Sequence, residues 1–110
     1  MNNEEILKDT KDIIDTQDDL NKCIEYEKKI CNGENILFEA NTFAINKVLE
    51  ISVKSPEIIL VNQVTPNNNP ITVDSVLVTL ATAKQVIYDQ LNKEKIELIK
   101  DIKNNKDSIM

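Results

Sequence analysis

The chain has 110 residues and a formal net charge of −6; hydrophobic residues make up 41% of it and aromatic residues only 4%. This length suits one domain with a modest aliphatic core. The acidic balance disfavours binding to nucleic acid or to an anionic membrane surface. No segment approaches the ~18 apolar residues that span a bilayer, and the acidic N-terminus lacks the order of a signal peptide. We therefore expect a cytoplasmic protein.

The residue types that most catalytic and metal sites need are scarce. The chain has no histidine and one glycine, which excludes histidine chemistry and a glycine-rich phosphate loop. Cys23 and Cys31 are the only cysteines, and two thiols without histidine make no zinc site. Several carboxylates cluster in residues 3–28, which we predict to be a helix (below). On a straight helix they point in different directions and cannot converge on one cation, so we predict a solvated acidic surface instead of a cation site. We predict no enzyme activity, no cofactor and no metal.

The first segment, residues 3–28, predicts an amphipathic helix. Its apolar residues recur at spacings of seven and four, which places them on one side of the helix. The members of this stripe are Ile6, Ile13, Leu20 and Ile24, and Leu7 and Ile14 widen it. We expect residues 1–28 to be an N-terminal helix that projects from a small α+β domain, residues 29–110, or pairs with another helix.

The middle of the chain predicts a small β-sheet. Asn32-Gly33 favours a two-residue hairpin turn, and the apolar runs on either side of it predict a hairpin over residues 29–39. Further apolar runs predict strands near residues 58–64 and 71–73. The expected fold class is therefore α+β, dominated by helices, with two long amphipathic helices and one short helix around this sheet.

Two more helices and a loop complete the predicted elements. The short helix covers residues 41–55 and ends there because a proline follows. A Pro-Asn-rich loop is predicted at residues 65–70. The last helix is predicted over residues 75–104, with Thr72 or Asp74 as its N-terminal cap.

The last helix carries a second apolar stripe, and each long helix carries one tyrosine. A tyrosine can pack its ring and leave its hydroxyl in water, which suits an interface. An apolar stripe that extends beyond the core of its own domain must be buried against another surface. The predicted interaction residues are therefore Ile6, Ile13, Leu20, Ile24, Tyr26, Tyr88, Leu91, Leu98 and Ile102. We expect a protein partner and a homo-oligomer, a dimer or a trimer.

Three segments carry a resemblance to a known family. They are YEKKICNGENILF at residues 26–38, NTFAINKVLEI at residues 41–51 and PITVDSVLVTLATAKQVIYDQLNKEKIELIKDI at residues 70–102. In chain order these segments give an Asn-Gly turn, a capped helix, a strand end and a long helix. This order resembles that of a domain of unknown function found in bacteriophage tail-fibre and tail-fibre-assembly proteins. A tryptophan that often follows the middle helix in that family is missing from this chain.

The resemblance implies a phage or prophage protein that acts in tail-fibre assembly, as a chaperone or as a fibre-associated structural part. Its place would be the host bacterial cytoplasm or the virion tail. A hypothesis from another class stays open, a small acidic phage inhibitor that blocks a host nucleic-acid-binding protein by charge mimicry. Binding by charge mimicry collapses as salt is added, whereas docking through apolar helix faces survives it.

Overall fold

The computed structural model describes residues 3–65 and 70–109, with residues 106–109 described by their backbone alone. Within these ranges the chain forms four helices and no strand. We number them α1 (Asn3–Cys31), α2 (Leu37–Lys54), α3 (Pro56–Asn62) and α4 (Val73–Ile109). Most of the loop predicted at residues 65–70 lies outside the described residues.

The predicted α+β fold is wrong, because none of its strands forms. The hairpin predicted over residues 29–39 is the end of α1, a tight connection and the start of α2. The segment near residues 58–64 lies mostly in α3, and residues 71–73 lead into α4. A short apolar run fits a buried strand and a buried helix turn equally well, so its periodicity cannot separate the two.

Gly33 ends α1 instead of turning a hairpin. Its φ of 83° is left-handed, the conformation that a glycine just beyond a helix commonly adopts. The backbone N–H of Glu34 donates to the carbonyl of Lys29 at 3.1 Å, and that of Gly33 donates to Ile30 at 3.0 Å. This pair of bonds is a Schellman motif. The same positive φ that favours a hairpin turn thus terminates a helix here.

The start of α4 confirms Thr72 as its cap. The Thr72 hydroxyl oxygen accepts a hydrogen bond from the backbone N–H of Ser75 at 3.1 Å. In return, the Ser75 hydroxyl oxygen accepts one from the backbone N–H of Thr72 at 2.9 Å. These reciprocal bonds satisfy two backbone donors that a helix start leaves free.

Helices α1, α2 and α4 pack around one aliphatic core. Small residues, such as Cys23, Ala40 and Ala44, lie where α1 and α2 approach their neighbours. Beside them, the Tyr26 ring lies 5.6 Å from that of Phe43, measured between centroids. The fully buried side chains of α4 complete the core; they are Val76, Leu80, Ala83, Val86 and Ile87. The C-terminal half of α1 is therefore part of the same core as residues 29–110.

Helices α1 and α4 run antiparallel for their whole shared length. Asp9 lies beside Asp101 near one end, and Glu27 forms an ion pair with Lys84 at 2.8 Å near the other. The protein measures 57 × 27 × 14 Å, and a helix of 37 residues is about 55 Å long, so α4 spans the molecule. Helix α2 accompanies only part of this pair.

Candidate functional site

The described side chains offer little chemistry. Among them, no group of three or more histidine, cysteine, aspartate or glutamate residues could hold a metal ion. None of the described helices is long and apolar enough to cross a membrane. Cys23 is buried, and this burial, with Glu27 and Asp19 nearby, raises the pKa of its thiol to about 11. Such a thiol stays protonated at neutral pH and is a poor nucleophile.

An open acidic groove lies between the N-terminal half of α1, the end of α2 and α4. Lys47 reaches across it and forms ion pairs with Asp19 at 3.4 Å and with Glu50 at 3.2 Å. Burial raises the pKa of Asp19, and the nearby Lys47 opposes this effect. The groove is lined by Asp12, Asp15, Thr16, Asp18, Asp19, Lys47, Glu50, Lys54 and Glu94. Its carboxylates are thus partly neutralised by lysines of α2.

One side of α1 meets neither α2 nor α4. The contacts to α2 come from Asp19 and Tyr26, and those to α4 come from Asp9 and Glu27. Each residue turns a helix by about 100°. The residues that contact α2 and those that contact α4 therefore lie on two adjacent sides of α1. The exposed apolar side chains occupy the side that remains; they are Leu7, Ile14 and Ile24.

The same division holds for α4. Its hydrogen bonds to the α2–α3 corner come from Asp89, Gln90 and Lys93, and its contacts to α1 come from Lys84 and Asp101. By the same helical spacing, three of the exposed apolar residues of α4 lie beyond the α1 contact. They are Tyr88, Ile99 and Ile102; Val73, Val78 and Ile96 of this helix are exposed as well.

These two sides together form one continuous surface, because α1 and α4 are neighbours and α2 packs on the opposite side of the pair. We call it the outer face. Its exposed members are Leu7, Ile14, Ile24, Tyr88, Ile99 and Ile102. Its half-buried floor, between the two helices, consists of Ile6, Ile13, Leu20 and Leu98.

The predicted interaction residues divide between the outer face and the core. Most of them lie on the outer face, either on its floor or at its surface. Tyr26 and Leu91 are buried; the Tyr26 ring packs on α2, and its hydroxyl donates to Glu39 at 3.2 Å. The sequence placed Leu7 and Ile14 at the edge of the apolar stripe of α1, but they were not among the predicted interaction residues. Ile99 was not predicted either.

Helix α2 carries a second exposed apolar surface, which we call the α2 stripe. Its members follow one another at spacings of seven, four and four, so they lie on one side of the helix. They are Phe38, Ile45, Leu49 and Val53. Sequence reasoning missed this stripe because it assigned the first turn of α2 to a strand.

No protein-family model, curated protein sequence or solved structure matches this chain.

Proposed function

We propose that this chain is a non-catalytic protein–protein interaction protein that binds its partner through the outer face. The observation that carries the proposal is a set of large apolar side chains left exposed in helical register along two adjacent helices. Leu7 is 69% exposed and Ile99 is 65% exposed. Single exposed apolar residues are common on monomers, but a continuous patch of them is typical of an interaction site.

Burial of this face supplies the driving force for binding. A large aliphatic side chain gains about 1.5–3 kcal/mol when it moves fully out of water. The six exposed members of the outer face are each partly covered already, so each gains less than that range. Their combined contribution still offsets several kcal/mol of the free-energy cost of association.

The tail-fibre context is part of the proposal and comes from the sequence resemblance. In that context the protein acts as an assembly chaperone or as a fibre-associated structural part, in the host bacterial cytoplasm or in the virion tail. Two features of the resemblance, the Asn-Gly hairpin and the strand end, do not form in the described residues, where Gly33 ends α1 and residues 71–72 lead into α4. The outer face therefore supports the interaction role independently of the resemblance.

The test compares two double variants, each of which replaces two exposed aliphatic residues by glutamine. Leu7→Gln with Ile14→Gln makes the outer face polar, and Leu49→Gln with Val53→Gln does the same to the α2 stripe. Glutamine adds no charge and is a good helix former. Each protein is purified from its native cellular source, and light scattering measures the mass of whatever assembly it forms, at low and at high salt.

We expect the outer-face variant to lose the assembly and the α2-stripe variant to keep it, since only the first removes apolar contact area at the proposed site. Circular dichroism checks that both variants keep their helices. An assembly that survives in the outer-face variant contradicts the proposal. An assembly of the parent protein that dissociates in high salt favours charge mimicry instead.

A further inference from the structure

We infer that one end of the α1–α4 pair is a pH-sensitive switch. This end, which we call the end pair, consists of residues 3–15 of α1 and residues 94–105 of α4. It stays closed while the Asp9 carboxyl is protonated, and its helices separate more readily once Asp9 and Asp101 are both charged. The switch belongs to the single chain and does not depend on which partner binds the outer face.

The end pair has no buried core. Among the described side chains, those of α1 before Thr16 and those of α4 after Leu91 are all exposed or half-buried. Its half-buried aliphatic residues are Ile6, Ile13 and Leu98. Because little apolar surface is buried there, separation of these helix ends costs less free energy than unfolding of the core.

The other two helices contact the α1–α4 pair further along. Lys47 of α2 pairs with Asp19 of α1 at 3.4 Å. Glu57 of α3 pairs with Lys93 of α4 at 2.8 Å. Near Asp12, the open acidic groove separates α1 from α2. The end pair can therefore open while these two ion pairs stay in place.

The Asp9 carboxyl lies between the two helices of the end pair and faces Asp101. Its Oδ2 is shielded from solvent and has no hydrogen-bond partner among the described residues. A charged carboxylate oxygen at such a position loses its hydration and gains no donor in return, which is unfavourable. A protonated Asp9 can instead donate a hydrogen bond to a carboxylate oxygen of Asp101. The closed end pair therefore favours the protonated form.

The groups around Asp9 act mostly in the same direction. The hydrogen bond with Asp101 of α4 raises the pKa of Asp9 most, and burial and the Asp101 charge raise it further. On α1 itself Lys8 lowers this pKa and Asp12 raises it, and the net result is a rise from 3.8 to about 6. Helix α2 brings Lys54 to the groove that Asp12 lines, about one turn from Asp9. The net effect is to hold the proton on Asp9 in the closed end pair.

Proton linkage gives the sign and the size of the effect. The closed end pair binds the Asp9 proton with a pKa of about 6, and in the open one this pKa returns toward 3.8. Between pH 5 and pH 7.5 the closed form releases a proton that the open form has largely lost already. The equilibrium constant for opening should therefore rise by about three- to tenfold as the pH rises over this range.

Hydrogen exchange of the pure, full chain measures the opening. The amides of residues 7–15 are followed, because they are the first of α1 whose N–H groups bond within the helix. Each exchange rate at pH 5 and at pH 7.5 is compared with that of the unfolded chain at the same pH, which gives the protection of the amide. We expect this protection to fall by about three- to tenfold between pH 5 and pH 7.5. Equal protection at the two pH values overturns the inference.

Asp9→Asn removes the titration and keeps the shape of the side chain. Its protection at residues 7–15 should be independent of pH and, at pH 7.5, higher than that of the parent. Asp18→Asn is the matched control and should keep the pH dependence of the parent, because Asp18 is an exposed aspartate of the same helix that lines the groove. A pH dependence of the parent's size in Asp9→Asn, or its loss in Asp18→Asn, contradicts the switch.

Low concentrations of urea separate local opening from unfolding of the whole chain. Local opening exposes little surface, so the exchange of residues 7–15 should respond only weakly to urea. Exchange near the buried Cys23, Tyr26 and Ile30 requires global unfolding and should rise steeply with urea. If residues 7–15 follow the same steep dependence, the helix ends do not open separately and the inference is wrong.

Discussion

Ser55 donates its hydroxyl proton to Oε1 of Gln90 at 2.6 Å, across 35 residues of chain. Both side chains are buried, and Lys93 donates to the same hydroxyl oxygen at 2.8 Å while it also pairs with Glu57 at 2.8 Å. Ser55 is the residue between α2 and α3. This cluster therefore ties the α2–α3 corner to one side of α4 and leaves the other side, the outer face, uncovered.

Replacement of Ser55 by alanine should lower the free energy of unfolding by about 1–3 kcal/mol, because the buried Gln90 oxygen loses its donor. Urea unfolding measures the change. Ser52→Ala is the matched control, since the Ser52 hydroxyl donates to the Leu49 carbonyl of its own helix at an exposed position. We expect that variant to stay within about 0.5 kcal/mol of the parent. Equal losses in the two variants would contradict a special role for Ser55.

Leu80 should be the most sensitive leucine of the core. It is fully buried on α4, and Leu80→Ala should cost about 2–5 kcal/mol through lost transfer energy and a residual cavity. Leu60→Ala removes the same atoms from a side chain that is 77% exposed, so it should change stability by about 0.5 kcal/mol or less. Urea unfolding at equal protein concentration compares them. A large loss for Leu60→Ala would show that α3 packs against something further.

Asp9 and Asp101 place two carboxyl groups together in the contact between α1 and α4. The hydrogen bond with Asp101, then burial and repulsion, raise the pKa of Asp9 from 3.8 to about 6, against the opposing charge of Lys8. The folded state therefore holds this proton more tightly than the unfolded chain does. The resulting stabilisation is complete below about pH 3.8 and is lost as the pH rises through about 6.

Asp9→Asn should therefore raise the thermal midpoint by a few degrees at pH 7, where the parent carries both charges. The advantage should shrink as the pH falls through about 6, the raised pKa of Asp9, because Asp9 of the parent is then protonated and uncharged, as asparagine is. Thermal unfolding of both proteins from pH 4 to pH 8 measures the difference between their thermal midpoints. The titrations of the other groups largely cancel in this difference, because both proteins contain them. Asp101→Asn should behave alike. An advantage that is constant with pH would rule out the raised pKa of Asp9.

Gly33→Ala should destabilise the protein by about 1–2 kcal/mol through backbone strain alone. The φ of Gly33 is left-handed at 83°, and an added Cβ would meet no atom within 4 Å. Gly33→Asn should cost less, because asparagine tolerates this conformation better than alanine does. Urea unfolding of the two variants checks the order. A larger loss for asparagine would mean that something other than φ decides the cost.

Much of the candidate site could be predicted from the sequence. The spacing of Ile6, Ile13 and Leu20 correctly indicated a helix with one apolar side, and these residues form the floor of the outer face. Their exposure could not be predicted, because helical spacing gives a direction around the axis and not the number of neighbours in that direction. Leu91 shows the same limit, since it shares the spacing of Leu98 but is buried.

The sequence by itself determined the two long helices and the Thr72 cap of α4. Neither helix contains glycine or proline. Over so many turns, an apolar spacing of three and four fits an α-helix and no strand. Only the tertiary structure decided that the middle segments are helical, because their apolar runs are too short to distinguish a strand from a helix. The tertiary structure also decided which apolar side stays uncovered, since Ser55, Gln90 and Lys93 hold α2 against one side of α4 and leave the outer face in water.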